Sequence, residues 1–253
     1  MRSGLIHGDK VLYLIDRDDL DPFRAALVDS CAEISDALDR GQLGVRHARA
    51  EYTPDGLFET GRMLEWVAAE HAQALAEGYP GLRFVGDMAW ALHKTSGTDQ
   101  LADYERALDA AGAGGTLGVL CQYDHSRFGI STLTEMADIH EVDIGPELAA
   151  IGRDGGAVAA ASVGHGPHRT VRLSGELDFD CSHSVAIALD ASFHGTLCLD
   201  LTDLDFVDVT GMRALRGRAG RRLKIVGASE TVRRLHALLA WDTDPAIELT
   251  APA

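Results

Sequence analysis

The chain has 253 residues, a formal net charge of −16 and a sequence pI near 5.0. That balance excludes general binding to nucleic acid or to an anionic membrane surface, because both would repel it. The chain is 46% hydrophobic, enough to build the core of one large or two modest domains, and no apolar run approaches the roughly 18 residues of a membrane span. The opening MRSGLIHGDKVLYLID lacks the layout of a signal peptide, so a cytoplasmic protein is expected.

In chain order, Lys10 to Asp16 (KVLYLID) is a continuous apolar run ending in an acid, the pattern of a buried parallel strand. A helix is expected over about Pro22 to Leu38, and a short strand over Leu43 to Ala48. Tyr52-Thr53-Pro54-Asp55-Gly56 is turn chemistry. A long helix follows from Phe58 to Glu77, with Met63, Leu64, Val67, His71, Ala74 and Leu75 at helical spacing and Gly78 as its stop. Leu82 to Gly86 is a strand ending at Asp87, Gln100 to Ala111 a helix, and Thr116 to Tyr123 a strand ending at Asp124. Gly145-Pro146 and the glycines from Gly152 to Gly156 punctuate the chain, so residues 146–156 are expected to link domains at 1–145 and 157–253. Beyond them, Ala157 to Val163 and Thr170 to Leu173 flank GHGPH as a hairpin. A helix (Asp180 to Ala191), a strand (Thr196 to Leu201), a helix (Thr210 to Ala219), a strand (Leu223 to Gly227), a helix (Glu230 to Ala240) and a short strand (Ile247 to Thr250) complete the pattern. Strands alternating with helices predict two α/β domains, the first with a mostly parallel sheet.

The four cysteines form no CxxC, and no His/Cys spacing matches a zinc site. Cys198, inside LCLDL, reads as a buried, inert thiol. His165 and His168 lie in a turn without further ligands, so no metal is expected. In open parallel sheets, ligands sit beyond the carboxyl ends of the strands. Asp16, Asp87 and Asp124 fall at such ends, with Met88, Trp90, Cys121, Tyr123 and Phe128 close by and Glu105 on a neighbouring helix. Acid at a rim with soft and aromatic walls suits a small, largely apolar ligand carrying one polar or cationic handle. The alternative stands beside it: such aspartates cap helices and turns, Trp90 and Phe128 are core, and Glu105 faces water. Cys121-Gln122-Tyr123-Asp124 has no fixed histidine beside it and makes no nucleophile. Arg213, Arg216, Arg218, Arg221 and Arg222 are either a solvated face or a docking patch for an acidic partner.

LSGELDFD (173–180), LCLDLTDLDFVDVTGMRAL (197–215) and LKIVGASETVRRLHALLAW (223–241), in that order, resemble a STAS domain over residues 157–250. The resemblance implies the fold of anti-sigma-factor antagonists and of the cytosolic tails of sulfate transporters. In phosphorylatable members of that family the strand-to-helix junction reads Asp-Ser-Ser-Gly, and its first serine accepts a phosphate from an anti-sigma-factor kinase. Asp208 and Gly211 match the aspartate and the glycine, Val209 replaces the acceptor serine, and Thr210 takes the second serine's place. The acceptor is therefore lost at Val209, and Thr210 stands open as either an N-cap or an alternative acceptor. The resemblance implies a partner surface of Asp178, Asp208, Val209, Thr210, Gly211, Met212 and Arg213, with an anti-sigma factor or a GHKL-type kinase as partner. Asp178, the aspartate of GELD, reads equally as a turn residue.

GLIHGDKVLYLIDRDD, YTPDGLFETGRMLEWV, EGYPGLRFVGDMAWAL, DYERALD and LCQYDHSRF together resemble the MEDS domain, a sensory module of methanogen and methylotroph regulators, over residues 1–143. This implies a RecA- or KaiC-like α/β fold and small-molecule sensing, with hydrocarbon derivatives proposed as ligands. Members usually begin with a further strand and loop. No GxxxxGK[ST] occurs in the chain, which argues against ATP hydrolysis. The expectation is a non-enzymatic cytosolic regulator without cofactor, a sensor joined to a STAS domain. The alternatives are a nucleotide-binding α/β protein anchored by its STAS domain and a scaffold whose sensor no longer works.

Overall fold

The computed structural model describes residues 2–30, 33–112, 114–140, 142–151, 158–164, 170–192, 196–216 and 221–250. The chain divides into two compact units, Met1–Ile139 and His140–Ala253.

In the first unit, α1 (Arg2–Ile6) leads into β1 (Lys10–Ile15). The helix expected over Pro22 to Leu38 is two helices, α2 (Asp21–Ser30) and α3 (Glu33–Asp39). They are followed by β2 (Leu43–His47), α4 (Ala48–Tyr52), α5 (Thr60–Ala76), β3 (Leu82–Asp87), α6 (Leu101–Gly112), β4 (Leu117–Gln122) and α7 (Ile130–Ile139). The strands form one sheet in the order β2-β1-β3-β4, and every pairing is parallel. The continuous apolar run of β1 is explained by burial on both faces. Leu12 and Leu14 join Met63 and Val67 of α5 and Tyr104 and Leu108 of α6 in one core. Val11 and Ile15 point the other way, into a core with Leu5, Ile34, Ala37, Leu43 and Val45. On α5 the expected stripe narrows: Met63, Val67 and Ala74 are buried, whereas Leu75 is exposed.

The second unit contains β5 (Val142–Asp143), α8 (Pro146–Ile151), β6 (Val158–Val163), β7 (Thr170–Leu177), α9 (Phe179–Ser192), β8 (Thr196–Val207), α10 (Val209–Arg216), β9 (Arg222–Val226), α11 (Glu230–Leu238) and β10 (Ile247–Leu249). Its sheet runs β10-β9-β8-β7-β6-β5, parallel from β7 to β10 and antiparallel from β5 to β7. Here the strands alternate. Leu197, Leu199 and Leu201 of β8 are buried, and the residues between them are half-buried. A single core takes Val185 and Leu189 of α9, Met212 and Leu215 of α10, and Val232 of α11.

Three further sequence expectations change. The start of the stretch read as a linker is α8, and its Leu148 and Ile151 sit in the core of the second unit; residues 152–156 lie outside the described residues. Apolar spacing within a Gly-flanked segment was the overlooked signal. Strand β8 runs six residues past Leu201, because Ser174 to Leu177 of β7 pair with Asp203 to Val207 through register shifts. Cys198 is half-buried rather than buried. His165 and His168 lie outside the described residues.

Candidate functional site

In the first sheet the chain goes from β1 out to β2, then returns past β1 to β3. The order reverses between β1 and β3, so their carboxyl ends flank a topological switch point, where open α/β sheets bind ligands. A cleft of about 450 Å³ lies there, lined by residues that include Tyr13, Asp16, Arg17, Phe23, Asp87, Gln122, Tyr123, Asp124 and Arg127. Four of the sequence candidates, Asp16, Asp87, Tyr123 and Asp124, therefore share one cavity.

The aspartates are also structural. The Asp87 Oδ2 accepts the Asp16 N–H at 3.1 Å, and its Oδ1 accepts the Ala89 N–H at 3.0 Å, capping the 3-10 turn Met88–Leu92. The Asp16 side chain is buried. Its Oδ2 is hydrogen-bonded to His93 Nε2 at 2.7 Å, and Arg49 Nε lies 3.1 Å from its Oδ1, an ion pair rather than a well-directed hydrogen bond. Asp124 accepts the Ser126 N–H at 2.9 Å and its hydroxyl at 2.6 Å, and these bonds hold its carboxyl below the usual carboxylate range.

The other candidates are not in the cleft lining. Met88 and Trp90 are fully buried, with the Trp90 ring stacked on Tyr52 at 4.6 Å between centroids, and Phe128 is buried against Tyr123. Glu105 faces neither water nor the cleft; it is buried and accepts a hydrogen bond from the Tyr123 hydroxyl. Burial, and then the Glu105 charge, push the Tyr123 hydroxyl and the Cys121 thiol well above their ordinary values. Sequence reasoning missed Tyr13, Arg17, Phe23, Gln122 and Arg127. Arg17 and Arg127 had a local signal, each lying just beyond a strand-end aspartate. Tyr13 packs edge-on against Phe23 at 5.1 Å and donates a hydrogen bond to Gln122, 109 residues away in sequence.

In the second unit, two aspartates start two helices side by side. Leu177 of β7 pairs with Val207 of β8, and the Asp208 N–H bonds the Leu177 carbonyl at 3.2 Å. Asp178 Oδ1 accepts the Asp180 N–H at 3.0 Å and the Cys181 N–H at 3.3 Å, capping α9. Asp208 Oδ1 accepts the Gly211 N–H at 2.6 Å, capping α10. The cap of α10 is thus Asp208 and not Thr210. The helix begins one residue before the sequence reading placed it, which puts Thr210 half-buried in the first turn. A Cβ on Gly211 would overlap the Leu177 carbonyl oxygen, so glycine is what lets the two strand ends lie this close. Val209 and Asp208 are half-buried, Met212 is buried and Arg213 is exposed.

Two aromatic residues absent from the sequence candidates mark this end of the sheet. Phe179, first in α9, is 71% exposed, and Phe206, opposite Glu176 in the strand register, is 49% exposed. The arginines counted in the sequence as one cluster are dispersed. Arg216 pairs with Asp244 at 3.0 Å, Arg221 is buried with Asp190 at 3.0 Å, and Arg218 lies outside the described residues.

A family model described as the methanogen/methylotroph, DcmR sensory domain, MEDS, matches residues 1–141. The chain belongs to the MEDS family. In this MEDS chain a second model, described as the Mlab, STAS domain, matches residues 161–250. A search of curated proteins finds no match for the chain. MEDS and STAS domains are sensory and signalling modules rather than typical enzymes. Among the described residues, no helix is long and apolar enough to cross a membrane, and no group of three His, Cys, Asp or Glu side chains is placed to hold a metal ion.

Proposed function

We propose that this MEDS–STAS chain is a non-catalytic regulator in the bacterial cytoplasm, which couples a small molecule bound by its first unit to docking of an anti-sigma factor or GHKL-type kinase on its second. The observation that carries the reading is the start of α10: a STAS strand-to-helix junction that keeps its aspartate cap and its close-approach glycine but presents Val209 where an acceptor hydroxyl would stand.

A phosphate at a helix start adds nearly two negative charges to a docking surface without unfolding it. Val209 removes that control from its own position and leaves an apolar residue at the same end of the sheet as the exposed Phe179 and Phe206. Control then passes to the sensory unit, whose switch-point cleft supports small-molecule binding. Coupling requires that the ligand favour one of two states of the chain.

The test is binding of the purified full chain to purified GHKL-type anti-sigma kinases from the same genome. Wild type is expected to bind, Val209→Asp to lose at least tenfold in affinity, and Thr210→Ala to bind unchanged. Failure of every kinase to bind, or unaltered binding by Val209→Asp, overturns the docking reading. A thermal shift with ATP or GTP would instead favour the nucleotide-binding alternative.

A further inference from the structure

We propose that the cleft at the β1–β3 switch point is an anion site, taking a small carboxylate or phosphate on an aromatic or apolar body, with Arg17 and Arg127 as its clamp. The inference rests on the sensory reading and names the ligand class for that unit.

A count of the charges around the cleft gives Asp16, Asp87 and Asp124 against Arg17 and Arg127, and by itself suggests a cationic ligand. The bonding shows which of these groups are already engaged. Each aspartate already has a role in the fold. Asp16 is held between Arg49 and His93, and Asp87 spends both oxygens on backbone N–H groups, one of them from Asp16 itself. Asp124 closes its own turn on Ser126. A cation drawn to these groups would compete with bonds that shape the strand ends.

The two arginines differ. Among the described residues neither guanidinium makes an ion pair or a hydrogen bond, although ten other arginines of the described chain do make ion pairs. In a chain of net charge −16, Arg17 and Arg127 bring two such cations to one cleft. Both charges reach its walls: burial and then the Asp87 charge push the Tyr13 hydroxyl up, with the Arg17 charge opposing them, and the Arg127 charge adds to the Ser126 hydrogen bonds in holding Asp124 down. The backbone of Arg17 is fixed by its carbonyl, which is hydrogen-bonded to His47 Nδ1 at 2.9 Å. Tyr13 and Phe23 supply an aromatic wall, and Gln122 a side-chain amide. A planar guanidinium pair matches the two oxygens of a carboxylate or the three of a phosphate, and an aromatic wall favours an anion that carries a ring.

The experiment titrates the full chain with benzoate, phenyl phosphate, tetramethylammonium and dichloromethane at matched ionic strength, by thermal shift and by calorimetry. Matched salt removes the general response of an acidic protein to ions. Benzoate or phenyl phosphate is expected to raise Tm, and which of the two binds more tightly separates the carboxylate source from the phosphate one. Arg17→Gln and Arg127→Gln should each weaken that binding roughly tenfold, and the double variant should abolish it. Both side chains are exposed, so the variants are expected to fold. A shift with tetramethylammonium or dichloromethane that ignores both variants overturns the anion site and leaves the sensory reading standing. Anion binding unchanged in the double variant overturns it as well. No shift with any of the four overturns the anion site and removes the sensory reading's support from this cleft.

Discussion

At the carboxyl ends of β1, β3 and β4 the strand-end aspartates stand around a concave cleft. At the carboxyl ends of β7 and β8 they stand beside two exposed phenylalanines and a valine. The residue type and its topological place are shared, and in both units the carboxylates accept backbone N–H groups where a strand gives way to a turn or helix. A strand-end aspartate is therefore architecture first. What distinguishes the two surfaces is the company it keeps. In the first unit, apolar cores lie on both faces of the sheet, and this cleft opens above the strand ends. In the second, buried residues alternate with half-buried or exposed ones along the strands, and Phe179 and Phe206 stand exposed near the helix starts.

The largest effect expected from testing this contrast is on Trp90. If it belongs to the core and not to the cleft, Trp90→Ala should cost about 3–5 kcal/mol in the unfolding of the first unit, read by urea denaturation with Trp66 fluorescence. A variant of near-native stability that loses ligand binding would return Trp90 to the site.

A smaller effect separates the cap from its neighbour. Asp208→Ala should destabilise the second unit by about 1 kcal/mol, whereas Thr210→Ala should stay within about 0.5 kcal/mol of wild type. Thermal denaturation of the two variants decides it, and a larger loss at Thr210 would move the cap back to that residue.

The smallest effect is one of pH. Asp200 is partly desolvated, which raises its pKa, but hydrogen bonds from the Thr202 hydroxyl and N–H and from Arg172 outweigh that and hold it below the ordinary carboxylate range. A lowered folded pKa means that the unfolded chain takes up the proton first as pH falls. The stability that Asp200 contributes is therefore complete above the unfolded value of about 3.9 and disappears as pH drops through the folded one. The gap between wild type and Asp200→Asn should be open at pH 6 and close in acid. A gap that widens in acid would contradict the assignment.

The second-unit surface was more legible in the sequence than the first-unit cleft. Asp178, Asp208 and Gly211 act on their immediate neighbours, through caps within three residues and one close approach, and local pattern reveals such things. Phe179 and Phe206 escaped because exposure of an apolar residue depends on what fails to pack against it. In the cleft, Asp16, Asp87 and Asp124 were found from their positions at strand ends, but their commitments were not. The Asp16–His93 bond spans 77 residues and the Asp16–Asp87 bond 71. Trp90 and Phe128 looked like pocket walls for the same reason: sequence proximity to a strand end does not say which side of the sheet a ring enters.

By itself the sequence determined the alternation of strands and helices, the two domains with their order, and the absence of a hydroxyl at residue 209. These follow from short-range periodicity, from turn chemistry and from the identity of single residues. Only the tertiary structure decided that the sheet order reverses between β1 and β3, that Asp208 rather than Thr210 caps α10, and that the cleft's acids are hydrogen-bonded while its arginine side chains, among the described residues, make no ion pair. Strand order and hydrogen-bond partners are properties of pairs far apart in the chain, and a charge reveals whether it is available only once its neighbours in space are known.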